Sequence, residues 1–422
     1  MPQGPTPPIT VAGFSGMNNV KKQENFFSAE GIAEPRIILN ADVSHNNGLV
    51  ARTGRRKVVD LPGVHSGWGG RSCMLCVAND VLYKVEQGVA IPIMSVGNRG
   101  ESIDYLELEG KVYFSNRYCQ GVFNPVSNTV SEWGVQPPVA PMLLSVDGEL
   151  LPGTYHVTMT REVEGETSGA GLIVPITLTT QGGIRILNRP VDAVVWCTDV
   201  NEYIPYRIGP VDIIQVIPTV EPCLTLMCTP PPYMSNICYA FGLIWGSNGS
   251  NLYYGKPYEH RNLFSITQQK FAYNSDITII AKVPTGLFIG MKTRTIFLMG
   301  TEPTHMREID AGAGSVTGTL AYANNVPELG DILGTPEKGY VDVPIWVTTE
   351  GYVIGNASGR LYNLTKNKLV YGIPERGASL YRNLDGVFQF LSSFKAGATG
   401  SGAGFSDTAT CEVFRNGRLV TT

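Results

Sequence analysis

The sequence predicts an all-β protein, a β-propeller of about six blades interrupted by an inserted β-sandwich of the fibronectin or immunoglobulin type. Three observations lead to this prediction. Apolar runs are short, rich in β-branched and aromatic residues, and closed by Gly, Asn, Asp or Pro, as strands joined by tight turns require. The chain has 48 Gly and 28 Pro but only 16% charged residues, which disfavours helix. One kind of hairpin also recurs along most of the 422 residues.

The recurring hairpin joins two apolar strands through a short polar or glycine-containing turn. Glycine suits this position because hairpin turns need positive φ, which costs glycine nothing. The turns follow each other at about the spacing of one blade, except for one wide gap between Gly110 and Gly242. They lie at Asn79-Asp80, Glu109-Gly110, Gly242, Thr285-Gly286, Glu350-Gly351, Asp385-Gly386 and Asn416-Gly417. Such repetition predicts small antiparallel sheets that are arranged radially and stabilised by stacking on their neighbours.

Residues 1–28 are predicted to form an extended N-terminal arm. The chain begins Met-Pro-Gln-Gly-Pro-Thr-Pro-Pro, and proline at this density favours extended backbone and prevents regular strand pairing. The same stretch lacks the basic and apolar regions of a signal peptide, so synthesis in the cytoplasm is expected. Residues 29–136 follow as the first part of the propeller, starting with two strands around Asn46-Asn47-Gly48.

A change in the spacing of strands and turns between two proline clusters predicts an inserted domain at residues 137–232. Within it, the predicted strand Tyr155-His-Val-Thr leads into Glu164-Gly-Glu-Thr-Ser, a sequence pattern that resembles fibronectin type III modules. Further strands are predicted at residues 172–179, 184–187, 191–197, 213–217 and 223–227. Short strands at this density fit a β-sandwich. Removing the insert from the wide gap between hairpins leaves the spacing of one ordinary blade.

Residues 233–422 are predicted to form the second part of the propeller and its closing strands. The stretch from Ile237 to Gly300 contains successive short strands separated by polar turns. Two further blades are expected at residues 341–369 and 378–394, and a last hairpin follows a glycine-rich segment at 396–404.

Charge and cysteine usage limit the classes of function. The net charge is −4 and the pI is about 5.8, so no strong electrostatic footprint for nucleic acid or an anionic membrane is visible. Any contact with DNA is therefore expected to be transient and non-specific. No apolar run approaches the roughly 18 residues that would predict a membrane-spanning segment. The eight Cys lie mostly inside apolar strands, which favours reduced core thiols over disulfides.

The candidate catalytic and metal-binding residues each have a simpler structural interpretation. Cys73 and Cys76 resemble a metal or redox pair, but residues three apart on a strand point to opposite faces. Glu107 and Glu109 alternate with leucines, which favours a solvated strand face over an acid and base pair. The five His are scattered, so no metal-ligand or nucleophile pattern emerges. We therefore predict no catalytic, cofactor-binding or metal-binding residues.

A glycine-rich segment, Gly312 to Gly318, superficially resembles a nucleotide loop but lacks the Lys-Ser or Lys-Thr ending, which favours a flexible connector. The only concentrated positive charge is the cluster Arg52, Arg55, Arg56 and Lys57. These side chains could contact phosphate or an acidic partner. The alternative is a solvated strand end, since two valines follow directly.

Several short segments of the sequence, and their order, resemble those of the β-propeller tail nozzle proteins, or packaged-DNA stabilisation proteins, of short-tailed bacteriophages. The segments are Gly13-Phe-Ser-Gly-Met-Asn-Asn, Asn40-Ala-Asp-Val, Leu49-Val-Ala-Arg-Thr-Gly-Arg, Leu252-Tyr-Tyr-Gly-Lys-Pro, Gly286-Leu-Phe-Ile-Gly and Gly351-Tyr-Val-Ile-Gly-Asn-Ala-Ser-Gly-Arg-Leu-Tyr-Asn-Leu-Thr. The resemblance spans nearly the whole chain. It rests on the residues and order of these segments, not on a catalytic signature.

The resemblance implies a structural virion protein of the phage tail, which acts as a nozzle or stopper. Its copies would form a ring, a hexamer by that resemblance, which continues the portal channel, retains packaged DNA and conducts it at ejection. The implied partners are further copies of the chain, portal and head-to-tail adaptor proteins, and tail fibre or tail-tip proteins. The alternative is a glycan-binding or glycan-cleaving propeller, a lectin or glycosidase. The only Asp-box-like phrase, Ser145-Val-Asp-Gly148, is incomplete and lies in the insert, which favours the first function.

Overall fold

A computed structural model describes the main body of the chain. It covers residues 58–97, 100–323, 342–366, 374–384, 387–396, 412–415 and 418–421, together with short stretches among the first 51 residues. Most of the predicted arm, the turns at Asp385-Gly386 and Asn416-Gly417, and nearly all of the segment 396–404 lie outside the described residues. The chain divides into two compact units, Val58–Asn274 and the combination of Met1–Lys57 with Ser275–Thr422.

The described stretches among residues 1–57 include two small strand pairs, which belong to the second of these units. Strands β1 (Gly13–Phe14) and β2 (Ile32–Ala33) pair in parallel. Strands β3 (Ala41–Val43) and β4 (Leu49–Ala51) pair in antiparallel fashion, on either side of the predicted turn.

The unit Val58–Asn274 begins with two four-stranded antiparallel sheets, blades 1 and 2. Blade 1 consists of β5 (His65–Gly69), β6 (Met74–Ala78), β7 (Val81–Glu86) and β8 (Val89–Ser95). Blade 2 consists of β9 (Asp104–Leu108), β10 (Lys111–Ser115), β11 (Gln120–Asn124) and β12 (Thr129–Ser131). Apolar side chains from both sheets, including Leu75, Val77, Val112 and Phe114, form one buried cluster. The two blades therefore stack face to face.

Two of the hairpin turns predicted from sequence have positive φ at both central residues, whereas neither residue of the turn Thr285-Gly286 does. Asn79 and Asp80 have φ values of 49° and 59°, and Glu109 and Gly110 have 51° and 75°. Two consecutive residues with positive φ are typical of the type I′ turn, whose twist matches that of the flanking strands. The polar turn residues therefore fix the register of β6 with β7 and of β9 with β10.

In sequence, the sandwich follows blade 2 and precedes blade 3, and it contains eight strands. They are β13 (Leu143–Leu150), β14 (Gly153–Val163), β15 (Glu166–Thr167), β16 (Val174–Leu178), β17 (Gly182–Ile186), β18 (Ala193–Thr198), β19 (Pro205–Gly209) and β20 (Ile213–Ile214). One sheet has the order β13-β17-β20, and the other contains β14, β18 and β19 with β15 and β16 beside β14. Buried side chains of both sheets, such as Tyr155, Val157, Ile184 and Val195, meet in one core.

The pairing of these strands matches the immunoglobulin-type arrangement from strand B to strand G. In that arrangement B pairs with E in one sheet, while C, F and G lie side by side in the other. Here β13 pairs with β17, and β14, β18 and β19 are neighbours in that order, so these strands occupy the positions B, E, C, F and G. Strand β16 takes the C′ position beside β14, and β20 adds to the free edge of β17. The predicted sandwich type is confirmed.

One predicted strand of the insert, at residues 223–227, is wrong. This segment forms turns, and Cys223 and Leu226 pack instead on Trp196, which projects from the outer face of β18. The apolar residues that suggested a strand therefore cover a sheet. Strands β13 and β19 escaped prediction: a register shift between Val146 and Leu150 interrupts β13, and β19 begins at a proline.

Blade 3 completes the unit. Its strands are β21 (Ser235–Ala240), β22 (Leu243–Asn248), β23 (Asn251–Tyr254) and β24 (Lys270–Ala272). A buried cluster that includes Tyr113, Trp133, Ile244 and Phe264 lies between blades 2 and 3. The two blades are thus neighbours in space, although the whole sandwich separates them in sequence.

The second unit repeats the same arrangement. Blade 4 consists of β25 (Ile277–Val283), β26 (Gly286–Met291), β27 (Arg294–Met299) and β28 (Arg307–Ala313). Blade 5 consists of β29 (Ala321–Ala323), β30 (Val343–Thr348), β31 (Gly351–Gly355) and β32 (Leu361–Asn363). Two hairpins follow, β33 (Pro374–Leu384) with β34 (Val387–Ala396) and β35 (Glu412–Arg415) with β36 (Arg418–Thr421).

Consecutive sheets of this unit also share buried cores. Phe288 and Phe297 of blade 4 pack with Trp346 of blade 5, and Tyr352 of blade 5 packs with Phe390 of β34. Successive four-stranded antiparallel sheets that stack through apolar faces are the architecture of a β-propeller. The described secondary structure is all β, apart from single 3₁₀ turns at Tyr258–His260 and Pro303–His305, so the predicted fold class is confirmed.

Candidate functional site

The basic cluster Arg52, Arg55, Arg56 and Lys57 lies outside the described residues. Its expected contact with phosphate or an acidic partner therefore stays a prediction. No helix in the described part of the chain is long and apolar enough to cross a membrane. Over the same residues, no three His, Cys, Asp or Glu side chains come together as metal ligands.

The other candidate residues from the sequence are engaged in structural contacts. Cys76 is buried in β6, and burial raises the pKa of both the Cys73 and the Cys76 thiol, which disfavours the reactive thiolate. Glu107 accepts a hydrogen bond from the backbone N–H of Arg71 at 2.7 Å. Glu109, two residues further on, pairs with Arg261. The two carboxylates that alternate with leucines thus have separate partners.

The segment predicted as a flexible connector, Gly312 to Gly318, is instead tied to the neighbouring sheets. Strand β28 extends to Ala313. The Ser315 N–H then donates to the Met291 carbonyl at 2.8 Å, and the Val316 N–H donates to the Val347 carbonyl at 2.9 Å. Because these backbone donors are already used, the loop cannot cradle a phosphate with them.

The described residues concentrate long-range polar contacts at one place, the joint between blades 2 and 3. Three side chains in one row across blade 2, Asp104, Ser115 and Gln120, are register partners on neighbouring strands and share a face. All three bond to the backbone where the chain returns from the sandwich. Asp104 accepts the Asn236 N–H at 2.7 Å, Ser115 accepts the Met234 N–H at 3.0 Å, and Gln120 donates to the Pro231 carbonyl at 2.9 Å.

A buried tryptophan forms the centre of the joint. Trp133 follows the last strand of blade 2, and its indole N–H donates to the side-chain carbonyl of Asn262 in blade 3 at 3.0 Å. The Trp133 ring lies 5.3 Å from the ring of Tyr113, measured between centroids. Both Trp133 and Asn262 are buried, so this hydrogen bond is shielded from water. The pair fixes the position of one blade relative to the next.

An ion pair closes the outer side of the joint. Arg261 meets Glu109 with both ends of its guanidinium: Nη1 donates to Oε1 at 2.8 Å and Nη2 donates to Oε2. Arg261 lowers the pKa of the Glu109 carboxyl, chiefly through these hydrogen bonds. The bidentate geometry restrains the turn between β9 and β10 against the loop that contains Arg261.

The two linkers of the sandwich touch each other at the same joint. Gly134, at the start of the exit linker, has a φ of +84°, which other residues adopt only with strain. A Cβ atom at Gly134 would lie 3.0 Å from the Asn262 carbonyl oxygen and 3.3 Å from the Cβ of Pro230 in the return linker. A side chain here would need both a strained backbone and a small shift of these neighbours. The sandwich therefore leaves and re-enters the propeller at nearly one point.

Asp104 is a partly buried acidic residue of the joint. Burial raises the pKa of its carboxyl, and the hydrogen bond from Asn236 partly offsets this effect. A carboxylate that loses part of its hydration costs free energy, and the hydrogen bond from the Asn236 N–H compensates for part of this cost. This arrangement suits a mechanical tie, because each of these five contacts joins residues more than 100 positions apart in sequence.

Sequence reasoning missed this joint. Asp104, Trp133, Arg261 and Asn262 belong to no motif, and only the three-dimensional fold brings them together. The one local signal was the pair of proline clusters, which marked where the chain leaves and returns. Nothing in those clusters identified their partners in blades 2 and 3.

Comparisons with known proteins give no family for the chain. No family model matches, and no curated protein matches. Among solved structures, BBS1N in complex with ARL6DN has 9% identity and a TM-score of 0.28, with 86% of this chain and 91% of that chain covered. The computationally designed Ika8 protein has 7% identity and a TM-score of 0.25, over 87% and 99% of the two chains. Sqt1 of Saccharomyces cerevisiae has 11% identity and a TM-score of 0.25, over 68% and 67%. At these TM-scores the likenesses carry no argument about function.

Proposed function

We propose that this chain is a structural protein of a short-tailed bacteriophage virion and has no catalytic activity. Its copies form a ring that continues the portal channel, retains the packaged DNA and conducts it at ejection. The proposal starts from the resemblance of several sequence segments to those of the tail nozzle proteins. The ring is a hexamer by that resemblance, with portal or adaptor proteins on one side and tail fibre or tail-tip proteins as further neighbours.

The observation that carries the proposal is the joint between blades 2 and 3. A conduit for pressurised DNA must resist forces that separate its sheets, and this joint combines a shared apolar core with a buried Trp133–Asn262 bond and a bidentate ion pair. Carboxylates such as Asp104 and Glu109 serve as ties between sheets. This use of polar groups suits a rigid structural part.

Charge distribution supports the role of a conduit. The insert at residues 137–232 contains ten acidic and four basic residues, a net charge of −6, while the remaining chain has +2. Each Lys or Arg that neutralises a phosphate adds salt-dependent affinity, which would retard DNA as it slides past. An acidic insert and nearly neutral blades would guide DNA without holding it.

The test is a phage that cannot make this chain, compared with the same phage supplied with the chain from a plasmid. The heads should fill and then lose DNA, measured as DNA that becomes accessible to nuclease, and electron micrographs should show no distal tail. The plasmid should restore both properties. Particles that keep their DNA and remain fully infectious without the chain would refute the proposed function.

A further inference from the structure

The end of the sandwich opposite its linkers carries an exposed apolar and acidic surface. It is formed by the loop between β13 and β14, residues 151–152, and the loop between β18 and β19, residues 199–204, and is here called the sandwich tip. Leu151 is 61% exposed, Tyr203 82% and Ile204 53%. Exposed tyrosine beside aliphatic residues is typical of protein interfaces, where a rigid aromatic ring gives contact area at low entropic cost.

The two loops of the tip are held rigidly before any partner arrives. The Asn201 N–H donates to the Thr154 carbonyl at 2.8 Å, and the Thr154 N–H donates to the Asn201 side chain at 3.1 Å. Gly153 has a φ of +149°, and a Cβ there would lie only 2.4 Å from Val200, so the loops are in direct contact. Because the loops are already ordered, binding at the tip costs less conformational entropy.

The aromatic residue of the tip is fixed as well. The ring of Tyr203 lies 5.8 Å from the ring of His156, between centroids, and the His156 Nδ1 lies 3.2 Å from the Glu202 carbonyl oxygen. Val200 packs on the sandwich core and anchors the same loop from below. Tyr203 and Ile204 therefore project from a supported loop.

The charge of the tip selects a basic partner. Asp199 and Glu202 are exposed there, and the whole insert contains no lysine. Three of its four arginines are already paired: Arg161 with Asp192, Arg189 with Asp212 and Arg207 with Glu162. The negative charge at the tip thus has no basic residue of the insert to neutralise it locally. DNA, which is itself acidic, is disfavoured at this surface.

We infer that the sandwich tip docks the basic segment Arg52–Lys57 of a second copy of this chain. That segment is the only concentrated positive charge in the sequence, with apolar residues on both sides that could contact Tyr203 and Ile204. A contact between two different surfaces of neighbouring copies is heterologous, and repetition of such a contact forms a ring where the rotation between copies closes. The inference rests on the proposed ring and names the contact that builds it.

The first measurement uses a fluorescent peptide of residues 49–59 and the full-length protein at low salt. The peptide should bind, with affinity that falls as salt rises, and Glu202→Lys should weaken it by about tenfold. Glu164→Lys is the matched control, since Glu164 is exposed in the turn between β14 and β15 at the opposite end and the charge change is identical. Equal weakening by both variants, or no binding at all, would overturn the inference.

The second measurement is a charge exchange in the full chain, read by sedimentation velocity. Glu202→Lys alone and Arg56→Glu alone should each reduce the assembled fraction, and the double variant should recover it because the charges are complementary again. Circular dichroism confirms that each variant is folded. Rings that persist in both single variants, or a double variant that fails to recover, would refute the tip contact and leave the virion role standing. A phage that retains its DNA without the chain would refute the role, whatever the tip variants do.

Discussion

Replacing Trp133 by Phe should loosen the joint between blades 2 and 3 more than any other single conservative change there. Trp133 is 2% exposed and its partner Asn262 is 8% exposed, so the side-chain carbonyl of Asn262 would lose its indole donor away from water. An unsatisfied buried acceptor costs about 1–3 kcal/mol. The ring atoms that Phe lacks add roughly 1 kcal/mol of lost burial. The expected loss of local stability is about 2–4 kcal/mol.

Hydrogen exchange at the return linker gives a direct measure of this loss. The N–H groups of Met234 and Asn236 are bonded to blade 2, so their exchange reports opening of the joint. A loss of about 2 kcal/mol corresponds to exchange that is roughly 30-fold faster. Trp68→Phe is the control, because Trp68 stacks on Tyr105 outside the joint and should leave this segment unchanged.

A second variant separates the hydrogen bond from the lost packing. Asn262→Leu in the Trp133→Phe background removes the orphaned carbonyl, so the double variant should be less destabilised than the two single effects predict. A coupling of about 1–2 kcal/mol is expected for residues in direct contact. If exchange at Met234 and Asn236 stays within about threefold of the wild type, Trp133 does not hold the joint. Additive single effects would show that the hydrogen bond contributes nothing.

Three further changes probe the same region. Asp104→Asn keeps an acceptor for the Asn236 N–H and removes a partly buried charge. Because burial raises the pKa of the Asp104 carboxyl, the wild type should lose stability relative to this variant as pH rises above about 4. Parallel pH curves of the urea midpoints would contradict this. Glu109→Gln should lower the free energy of unfolding by less than about 1 kcal/mol at low salt, because the Glu109 side chain is mostly exposed. The effect should vanish in 1 M salt, and a cost independent of salt would exclude an ionic role for Arg261. Replacing residues 136–227 with a short Gly-Ser linker should leave a folded propeller, since Gly134 and Pro230 touch, and loss of the cooperative thermal transition would show that the blades depend on the sandwich.

The blade hairpins could be predicted from sequence because their signals are local. A turn such as Glu109-Gly110 combines polar residues that tolerate positive φ with apolar strands on both sides, and all of this lies within about a dozen residues. The sandwich was found by its proline boundaries and by strand density. Its strands β13 and β19 were not predicted, because β13 is interrupted by a register shift and β19 starts with Pro205.

The joint and the coverage of Trp196 could not be predicted, because both depend on distant parts of the chain. The segment 223–227 has the apolar composition of a strand, but β18 and β19 already pair with each other. The segment packs instead on Trp196, on the outer face of β18. Likewise, Asn262 is an ordinary loop residue until Trp133 faces it. Composition indicates that a residue is apolar or polar, while its partner is decided by topology.

The way the linkers cross determines how a force on the sandwich reaches the propeller. The exit linker leaves blade 2, but at Gly134 it lies against Asn262 of blade 3. The return linker leads into blade 3, but Met234 and Asn236 are bonded to blade 2. A pull on either linker is therefore resisted by both blades at once, and cannot peel one strand from the edge of one sheet. A partner docked at the sandwich tip would load the joint where its apolar core, its buried hydrogen bond and its ion pair act together.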